Sequence, residues 1–483
     1  MKTMNLDEYG IWYKSKYHGA SSAFTNFVMI LSDLIAVMLS FGIGFFLVNL
    51  YDIRAINFRS FFMYWPYLPV FILIFQIQAL YPGTSLAPSE ELRRLFTSSI
   101  FAHGGIIFSR YIEDGELDYI TIAFIISFSF SAMILLTCRS GFRSLLGKSK
   151  IGGIATVVFG AQDMGKMIVN KLLDDRTLGY RPVLMLDDDP ATGHEYRGIP
   201  IIHDTYAGTE IVKRTGLKMA IVAMSHIKRK DLVHLVNYSA SAFRYNILIP
   251  DFFGVSTIWM SARDFDGILG LATSQKLKIP VNLFIKRIVD LLSVIFGSIV
   301  ILPFLLLIGL IVKLSSKGPV LYGHTRIGLN GKEFITYKFR TMVIDADKRL
   351  RNILENDSLA RKEWDENQKL KNDPRITGFG KFLRKTSLDE FPQLINVLKG
   401  EMSLVGPRPI VAAEIEKYGE DFKRIFSVKP GITGLWQVSG RSETNYADRV
   451  SFDTYYLQNW SLWMDAWVLY KTIGVVLAGK GAY

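Results

Sequence analysis

The chain has 483 residues, of which 49% are hydrophobic and 13% aromatic, and its formal net charge is +12. This length predicts a few domains, and a mean hydropathy of +0.22 is high for a soluble protein. The single cysteine, Cys138, excludes a disulfide framework, and no Cys/His cluster has zinc-site spacing. Positive charge suits nucleic acid, an anionic membrane or phosphorylated substrates. The apolar segments favour the last two, so we expect no nucleic-acid partner.

Four apolar segments in the first third predict a membrane unit of four helices. They cover approximately Phe24–Leu50, Phe61–Leu80, Phe96–Phe108 and Tyr119–Thr137. Three approach the length of about 20 residues that a helix needs to cross a bilayer, whereas serines and His103 make the third less apolar. Basic residues flank both chain ends of this unit, and basic flanks stay in the cytoplasm, so we expect both ends there. A four-helix sensor or transport unit would have the same pattern.

Residues from about 151 to 254 alternate short β-branched runs with helical stretches, which is typical of a parallel, Rossmann-like α/β domain. The first strand leads into GAQDMG, Gly160 to Gly165. There Gln162 occupies a position that a dinucleotide fingerprint gives to glycine. We therefore interpret the domain as a scaffold without a cofactor, or as one that binds a nucleotide only as a regulator. Asp187–Asp189 could contact a ribose, yet three acids before Pro190 also form a simple polar turn.

A further apolar segment runs from Ile288 to Val312 and is long enough to cross a bilayer as a helix. Pro303 lies inside it, where its missing N–H removes a backbone hydrogen bond and bends or breaks the helix. Lys286 and Arg287 precede the segment and further lysines follow it, so a simple span would place one basic cluster outside. A re-entrant helix over about 284–314 that breaks near Pro303 would keep both flanks in the cytoplasm. A proline-kinked spanning helix is the alternative.

The C-terminal part contains TSLDEFPQL, from Thr386 to Leu394, with the adjacent carboxylates Asp389 and Glu390. As local structure, Ser387 and Glu390 match a capping box at a helix N-terminus. Pro392 would then be the fifth helical residue, where it removes an intrahelical hydrogen bond. A helix that starts at Asp389 accommodates the proline but loses the box. Because neither arrangement fully accounts for the two acids, we consider them a candidate catalytic pair.

Basic residues on stiff turns surround this pair in the sequence. Arg384 precedes Asp389 by five residues, Arg408 stands between two prolines in GPRP, and Lys338 and Arg340 lie in YKFRTM. Guanidinium groups on rigid glycine- and proline-rich turns suit bidentate binding of phosphate. In a membrane-bound chain, this arrangement predicts a diphosphate substrate.

From Lys286 to the C-terminus the chain resembles the bacterial sugar transferases that begin lipid-linked glycan synthesis, the monotopic polyprenyl-phosphate phosphoglycosyl transferases. The matching blocks are KRIVD, KFRTM, DPRITGFGKFLRKTSLDEFPQLINVLKGEMSLVGPRP and KPGITGLWQVSGR. Four N-terminal spans and an α/β middle domain resemble the long form of these enzymes. One departure is Leu302 before Pro303, where many short-form members have serine.

The resemblance implies a multidomain membrane protein: a four-helix transmembrane unit, a Rossmann-like α/β middle domain, and an α-rich catalytic domain with a re-entrant membrane helix. It implies a multi-pass protein of the bacterial inner (cytoplasmic) membrane, with the catalytic domain on the cytoplasmic face. A homodimer through the middle domain is one arrangement that the sequence leaves open. The predicted boundaries are a cytoplasmic N-terminal tail over 1–22, four transmembrane helices over 23–140, the α/β domain over 141–265, a linker over 266–280 and the transferase domain over 281–483.

The resemblance also implies a reaction. Hexose 1-phosphate, galactose 1-phosphate first and glucose 1-phosphate as the alternative, would pass from a UDP-sugar to undecaprenyl phosphate with release of UMP. This is the first membrane step of O-antigen or exopolysaccharide synthesis. The implied route is covalent and uses Mg²⁺, with Asp389 as nucleophile and Glu390 as metal ligand. Arg384 and Arg408 would clamp the phosphates, and Lys338 and Arg340 are further candidates.

Two rival functions remain open. A membrane-bound nucleotide-sugar dehydratase would need a fuller glycine fingerprint and a Tyr-x-x-x-Lys site on the α/β domain. YRPVL at Tyr180–Leu184 does not supply that site. A non-catalytic nucleotide-sugar sensor would bind through Gly160–Gly165. Release of UMP from a UDP-sugar separates the transferase from both.

Overall fold

The computed structural model divides the chain into two compact units, Met1–Val255 and Ser256–Tyr483. The residues that it describes are 6–16, 22–51, 63–81, 86–116, 118–148, 153–224, 227, 229–249, 260–265, 268–273, 276–357, 361–362, 370, 373–439 and 446–477. Part of the second predicted membrane segment and Arg441, the last residue of the KPGITGLWQVSGR block, lie outside these residues.

Helices make up the first part of unit one. Their bounds are α1 Leu6–Lys16, α2 Ser22–Tyr51, α3 Leu68–Ile77, α4 Pro88–Asp114 and α5 Tyr119–Lys148. Helices therefore lie at all four predicted apolar segments, and α2 packs most extensively against α5. Within the described part of this unit, only α2 and α5 are long and apolar enough to cross a membrane. Helix α3 has ten residues, and α4 carries Glu90 and Glu91 in its first turn, so four membrane spans are not confirmed.

A buried ion-pair network joins α2, α4 and α5. The completely buried guanidinium of Arg139 donates to the carboxylate of Asp33 at 2.6 Å and to that of Glu91 at 2.9 Å. Arg143 pairs with the same Glu91, and the hydroxyl of Tyr81 donates to Asp33 at 2.7 Å. Two carboxylates thus face two guanidinium groups, and this neutrality offsets the cost of removing charge from solvent.

A six-stranded sheet forms the core of the α/β part. Its strands are β1 Ile154–Phe159, β2 Tyr180–Leu186, β3 Glu195–Tyr196, β4 Ile199–Ile202, β5 Met219–Val222 and β6 Tyr245–Leu248. Their order is β3-β4-β2-β1-β5-β6, and every pairing is parallel except that of β3 with β4. The helices after β1, β4 and β5 are α6 Asp163–Asp174, α7 Gly208–Thr215 and α8 Arg229–Tyr238. The predicted α/β alternation is therefore confirmed.

Helix α1 belongs to this α/β fold rather than to a free tail. Tyr9 and Tyr13, one helical turn apart, are buried in the same core as Val157 and Leu184. Asp7 forms an ion pair with Arg214 of α7. Since α1 is only a few residues from α2, and α5 is only a few residues from β1, the start of α2 and the end of α5 both adjoin the α/β part.

The second unit opens with a hairpin and a long apolar helix. They are β7 Met260–Phe265, β8 Ile268–Thr273 and α9 Pro280–Ser315. The hairpin lies across the predicted boundary between the α/β domain and the linker. Helix α9 has 36 residues, is long and apolar enough to span a membrane, and continues through Pro303. The predicted break is not confirmed, because one proline removes a single hydrogen bond and a helix can bend there without ending.

The globular remainder of this unit is rich in short helices. Its elements are β9 Leu321–Ile327, β10 Glu333–Phe339, α10 Ala346–Asn356, α11 Gly378–Lys385, α12 Leu394–Lys399, β11 Ser403–Val405, α13 Ile415–Tyr418, α14 Asp421–Ile425, β12 Gly431–Thr433, α15 Leu435–Ser439, α16 Tyr446–Asn459 and α17 Leu462–Leu477. Strands β9 and β10 form an antiparallel hairpin, whereas β11 and β12 pair in parallel.

Helix α9 contacts this globular part at two distant positions. Val294 packs with Val397 and Met402, and further along the helix Val312 packs with Phe339 and Leu383. Between these contacts the apolar side chains are largely exposed, namely Ile295, Phe296, Ile299, Val300, Leu302 and Phe304. A continuous apolar surface of this kind indicates contact with lipid.

Candidate active site

Asp389 and Glu390 lie in a 3₁₀ helix, Leu388–Gln393, that leads directly into α12. Ser387 precedes it in a left-handed conformation with a φ of 56°, and its side chain makes no capping hydrogen bond. The capping-box interpretation is therefore wrong, and no α-helix starts at Asp389. Pro392 is the reason for the tight turn, since it has no N–H to donate to an α-helical hydrogen bond.

The buried side chain of Asn396 on α12 fixes this turn to β10. Its Oδ1 accepts from the N–H of Tyr337 at 3.1 Å, and its Nδ2 donates to the carbonyl of Ile335 at 2.6 Å. Strand β10 is thereby held beside the 3₁₀ helix, and Nζ of Lys338 lies 2.5 Å from Oε1 of Glu390. Asn396 was not predicted from the sequence, although an asparagine inside the apolar segment LINVLK is an available signal.

The two neighbouring carboxyls have opposite pKa shifts. Burial raises the pKa of Asp389 to about 6; Lys338 and Arg384 oppose this rise, while the charge of Glu390 adds to it. Burial would also raise the pKa of Glu390, but the ammonium of Lys338 and the guanidinium of Arg408 hold it below its usual range. One third of the Glu390 side chain is exposed to solvent. Different pKa values on adjacent carboxyls indicate different chemical roles.

Arg384 reaches the site from the last turn of α11. This helix begins after Thr377, whose hydroxyl caps it by accepting from the N–H of Gly380 at 2.9 Å. A Cβ on Gly380 would lie 2.2 Å from the carbonyl oxygen of Thr341, so only glycine permits this close packing. Nε of Arg384 donates to the hydroxyl of Thr341 at 2.9 Å, and the carboxylate of Asp389 is close enough to act on the guanidinium charge.

Arg408 lies in the GPRP turn after β11, which packs against β12 through glycines. A Cβ on Gly431 would lie 2.1 Å from the nitrogen of Gly406, so neither strand end has room for a side chain there. Beyond the turn, the carbonyl of Ile410 accepts from the N–H of Ile327 at 2.7 Å. This bridge brings the Arg408 turn beside the end of β9.

Three residues that were not assigned a role lie around Arg408. Arg326, at the end of β9, is close enough for the two guanidinium charges to repel. Trp436 of α15 lies under both Arg408 and Arg449, with ring centroid to Cζ distances of 5.6 and 4.9 Å. Arg449 comes from α16, and no local motif marks it. Only the tertiary structure brings these side chains together.

Other basic residues hold the membrane helix in place. Nη2 of Arg340 donates to the carbonyl and hydroxyl of Ser316 at 2.7 and 2.9 Å, and only 8% of Arg340 is exposed. Nζ of Lys286 pairs with the buried carboxylate of Asp465 at 2.7 Å, and Arg287 donates to two carbonyls at the end of α12. Arg340 therefore fastens the end of α9, and phosphate binding by this residue stays a prediction.

The two carboxylates of the site fit a metal ion whose remaining ligands are oxygens of a substrate. Within the described residues, no group of three or more His, Cys, Asp and Glu side chains converges on one point. Asp389 and Glu390 provide two adjacent carboxylates, and Mg²⁺ typically binds one or two carboxylates together with phosphate oxygens and water. The side chains present fit an ion bound jointly with a phosphorylated substrate.

The glycine loop of the α/β domain has a closed geometry. Gly160 has a φ of 103°, and a Cβ on Gly165 would lie 2.0 Å from the carbonyl oxygen of Gly160. The N–H of Ala161 donates to the carboxylate of Asp187 at 2.6 Å. A pyrophosphate at this turn would need such backbone donors, so the loop favours the scaffold interpretation.

Comparison with family models gives two matches. The model described as bacterial sugar transferase matches residues 281–479, which include the candidate site. A model described as CoA-binding domain matches residues 76–249, which include the six-stranded sheet.

Comparison with curated proteins gives relatives along most of the chain. Undecaprenyl-phosphate galactose phosphotransferase of Salmonella typhimurium is 37% identical over 393 residues, which are 80% of this chain and 79% of the relative. UDP-glucose:undecaprenyl-phosphate glucose-1-phosphate transferase of Escherichia coli is 33% identical over 372 residues, 74% and 75% of the two chains. Exopolysaccharide production protein ExoY of Rhizobium meliloti is 47% identical over 204 residues, 42% of this chain and 90% of the relative. The chain therefore belongs to the bacterial sugar transferase family.

Proposed function

We propose that this membrane transferase moves hexose 1-phosphate from a UDP-sugar to undecaprenyl phosphate, through a phosphosugar ester on Asp389. The observation that carries this proposal is the partly buried carboxyl of Asp389, with a pKa of about 6, next to a second carboxylate, with Lys338, Arg384 and Arg408 around the two acids. Such cations suit a reaction between phosphates. The names of two relatives, which specify galactose or glucose and undecaprenyl phosphate, support the substrates.

In the first step, an Oδ atom of Asp389 attacks the phosphorus that bears the sugar. The bond from this phosphorus to the bridging oxygen breaks, and UMP leaves with the electron pair. A carboxyl with a pKa of about 6 is ionised at neutral pH, so no base is needed to activate it. The guanidinium of Arg384 and the ammonium of Lys338 stabilise the charge that develops on the transferred phosphoryl group.

In the second step, an oxygen of undecaprenyl phosphate attacks the same phosphorus, and the bond from phosphorus to Asp389 breaks. The products are the lipid diphosphate sugar and a free carboxylate. The second pKa of a phosphate monoester is about 6, so the lipid phosphate is largely ionised at pH 7. Two steps keep the two anionic substrates from having to meet directly.

Glu390 would hold Mg²⁺ together with oxygens of the substrate. When bound, the ion would neutralise phosphate charge during the transfer. Lys338 fixes the orientation of the Glu390 carboxylate, and Arg408 contributes to keeping it ionised.

We place α9 in one leaflet, entering and leaving from the cytoplasmic face of the inner membrane. Val294 and Val312 both pack on the same globular part, and they are about 27 Å apart along a straight helix. A single crossing would separate the ends of α9 by about 30 Å of hydrocarbon. A water-soluble domain cannot contact both membrane surfaces, so these contacts favour entry and return on one face. UDP-sugars are cytoplasmic, and the acceptor phosphate lies at the headgroup level.

Galactose is the sugar that we propose, and glucose is the alternative. Of two relatives that each cover most of the chain, one is named for galactose and the other for glucose. A homodimer through the α/β domain is a further part of the proposal. A panel of UDP-sugars with undecaprenyl phosphate would identify the donor by the release of UMP.

The covalent step is tested by mixing purified enzyme with UDP-galactose or UDP-glucose without lipid. We expect one equivalent of UMP per enzyme and an intact-protein mass increase of one hexose phosphate. Asp389→Asn should abolish both, whereas Asp345→Asn, which changes an exposed aspartate of the same unit, should not. If the enzyme turns over with lipid but never forms an adduct, undecaprenyl phosphate attacks the UDP-sugar directly and the covalent mechanism is wrong. A sensor or a dehydratase would release no UMP.

A further inference from the structure

Three arginines from separate elements form a cluster beside Glu390. This arginine cluster consists of Arg326 at the end of β9, Arg408 in the GPRP turn and Arg449 on α16. Arg408 and Arg449 share the indole of Trp436, at 5.6 and 4.9 Å from its centroid. Like charges this close repel, and burial together with Arg408 lowers the pKa of Arg326.

In the described part of the chain, the carboxylates around the arginine cluster do not balance its charge. Glu414 lies 3.7 Å from Arg449, whereas Glu390 is already paired with Lys338 at 2.5 Å. Burial raises the pKa of Asp453 to about 7, so this neighbour is only partly charged at neutral pH. Among the described residues, three guanidinium charges thus face one full carboxylate and one partial carboxylate, so positive charge is in excess. A buried charge without a counter-ion is costly, so this arrangement of the described residues favours an anionic ligand.

Unpaired donors lie at the same place. Within the described residues, Nε and Nη2 of Arg449, Nε1 of Trp436 and the hydroxyl of Tyr446 are buried without a hydrogen-bond partner. Arg449 is 6% exposed and Trp436 is 8% exposed. Native proteins rarely leave buried donors unpaired, so a group of them indicates a ligand rich in acceptor oxygens. A phosphate monoester has both the acceptors and a charge near −2 at pH 7.

Different basic residues act on the two carboxyls of the site. Lys338 and Arg384 are the cations that oppose the burial-induced rise in the pKa of Asp389. Besides Lys338, the cations that lower the pKa of Glu390 are Arg408 and Arg326. In an in-line displacement the leaving oxygen lies opposite the nucleophile, so the second phosphate of the donor points away from Asp389.

We propose that the arginine cluster binds the phosphate of the UMP moiety, first in the UDP-sugar and then in the leaving UMP, with Arg449 as its most buried contact. This proposal rests on the proposed function, since only a nucleoside diphosphate donor has such a second phosphate. It assigns Arg449, Trp436 and Tyr446 to the recognition of the leaving group, whereas Arg384 and Lys338 serve the transferred phosphoryl group.

The test is titration of the full-length protein with UMP, which requires no turnover. Arg449→Met should weaken UMP binding about tenfold or more, because a charge-assisted, bidentate contact is lost. Arg449→Lys, which keeps the charge but not the planar fork, should be intermediate. Arg424→Met is the matched control. Arg424 also contacts α16, through the hydroxyl of Thr454, but is ion-paired with Asp421, so UMP affinity should not change.

Unchanged UMP affinity in a folded Arg449→Met protein would overturn the proposal, and the thermal transition of each variant establishes folding. If Arg449→Met does not fold, unchanged affinity in Arg449→Lys would overturn it as well. If Arg449→Met binds UMP normally but transfers a preformed adduct to undecaprenyl phosphate more slowly, the arginine cluster binds the lipid phosphate instead and the proposal is wrong. The wild-type adduct assay with UDP-sugar tests the proposed function separately, so the two failures are distinguishable.

Discussion

Asp389 and Glu390 are neighbours in the sequence and yet differ in chemistry. Burial acts on both carboxyls, but Glu390 has Lys338 at 2.5 Å and the charges of Arg408 and Arg326 behind it. Asp389 has no cation at hydrogen-bonding distance among the described residues, and its pKa rises to about 6. One group is therefore a fixed anion, and the other is a carboxylate that changes charge just below neutral pH.

The raised pKa predicts the pH dependence of the first step. Attack requires the ionised form of Asp389, so UMP release in a single turnover without lipid should be constant above about pH 7. Below pH 6 the rate should fall by about tenfold per pH unit, as the carboxyl is protonated. The diphosphate of the donor does not titrate in this range. Rapid-quench measurements between pH 5 and 8 would show the inflection.

Glu390→Gln provides the control for this assignment. The variant removes a negative charge that helps to raise the pKa of Asp389, so whatever rate remains should show its inflection at a lower pH. A wild-type rate that is independent of pH from 5 to 8 would contradict ionisation of Asp389 as the controlling event.

Single residues show what the sequence could and could not predict. Asp389 and Glu390, like the basic residues Arg384, Arg408 and Lys338, lie in short sequence blocks whose residue types already indicate phosphate chemistry. The three basic residues come together around the two carboxyls because α11, β10 and the GPRP turn pack side by side. Arg449 could not be found in this way, because its partners come from elements distant in the sequence. The same holds for Asn396, whose role depends on hydrogen bonds to β10.

The contact between α9 and α17 depends on one buried ion pair, Lys286 with Asp465. Both side chains are about nine-tenths buried, and Asp465 also accepts from Tyr456 and Trp460. Lys286→Met leaves this carboxylate without its cation, and we expect a loss of about 3–5 kcal/mol in stability, measured as a clear fall in the thermal transition temperature in detergent.

A second substitution tests the cause of that loss. The double variant Lys286→Met/Asp465→Asn removes the unpaired charge and should recover much of the stability. Lys313→Met, at an exposed lysine of the same helix, should have little effect. A double variant as unstable as Lys286→Met would mean that packing, rather than charge, dominates this contact.

The contacts of α9 near both ends predict the accessibility of its flanks. In a Cys138→Ser background, Lys278→Cys and Lys317→Cys should both be unreactive toward an impermeant maleimide outside intact cells. Both should react in inverted vesicles. Glu116→Cys, in the loop between α4 and α5, is expected to react from the outside. A helix that spans the membrane would instead expose one of the two flanking positions outside.

Helices and strands could be predicted where the sequence pattern that specifies them is local. The alternation of buried strands and amphipathic helices over about 151 to 254 predicts the sheet, because each strand is a short apolar run between turns. Helix α1 was missed, because its apolar residues become a core face only when the sheet is present. The 3₁₀ turn at Leu388–Gln393 was also missed, since serine and glutamate match a cap whose backbone geometry Ser387 does not adopt.

The two compact units correspond to two kinds of relatives. Relatives from Salmonella typhimurium and Escherichia coli cover 80% and 74% of the chain. The Rhizobium meliloti relative matches only 42% of this chain, yet that portion is 90% of its own length. Every residue that we assign to chemistry or to phosphate binding lies in unit two. The proposed reaction therefore assigns no catalytic or phosphate-binding role to unit one.

This division predicts that unit two performs the transfer alone. A chain that begins at Ser256 retains α9, the 3₁₀ helix with Asp389 and the arginine cluster, so it should insert into membranes. It should also form the hexose phosphate adduct to an extent comparable with the full chain. Intact-protein mass spectrometry after incubation with UDP-sugar measures this, and Asp389→Asn in the short chain is the control. An adduct in the full chain but not in the folded short chain would mean that unit one contributes to the active site.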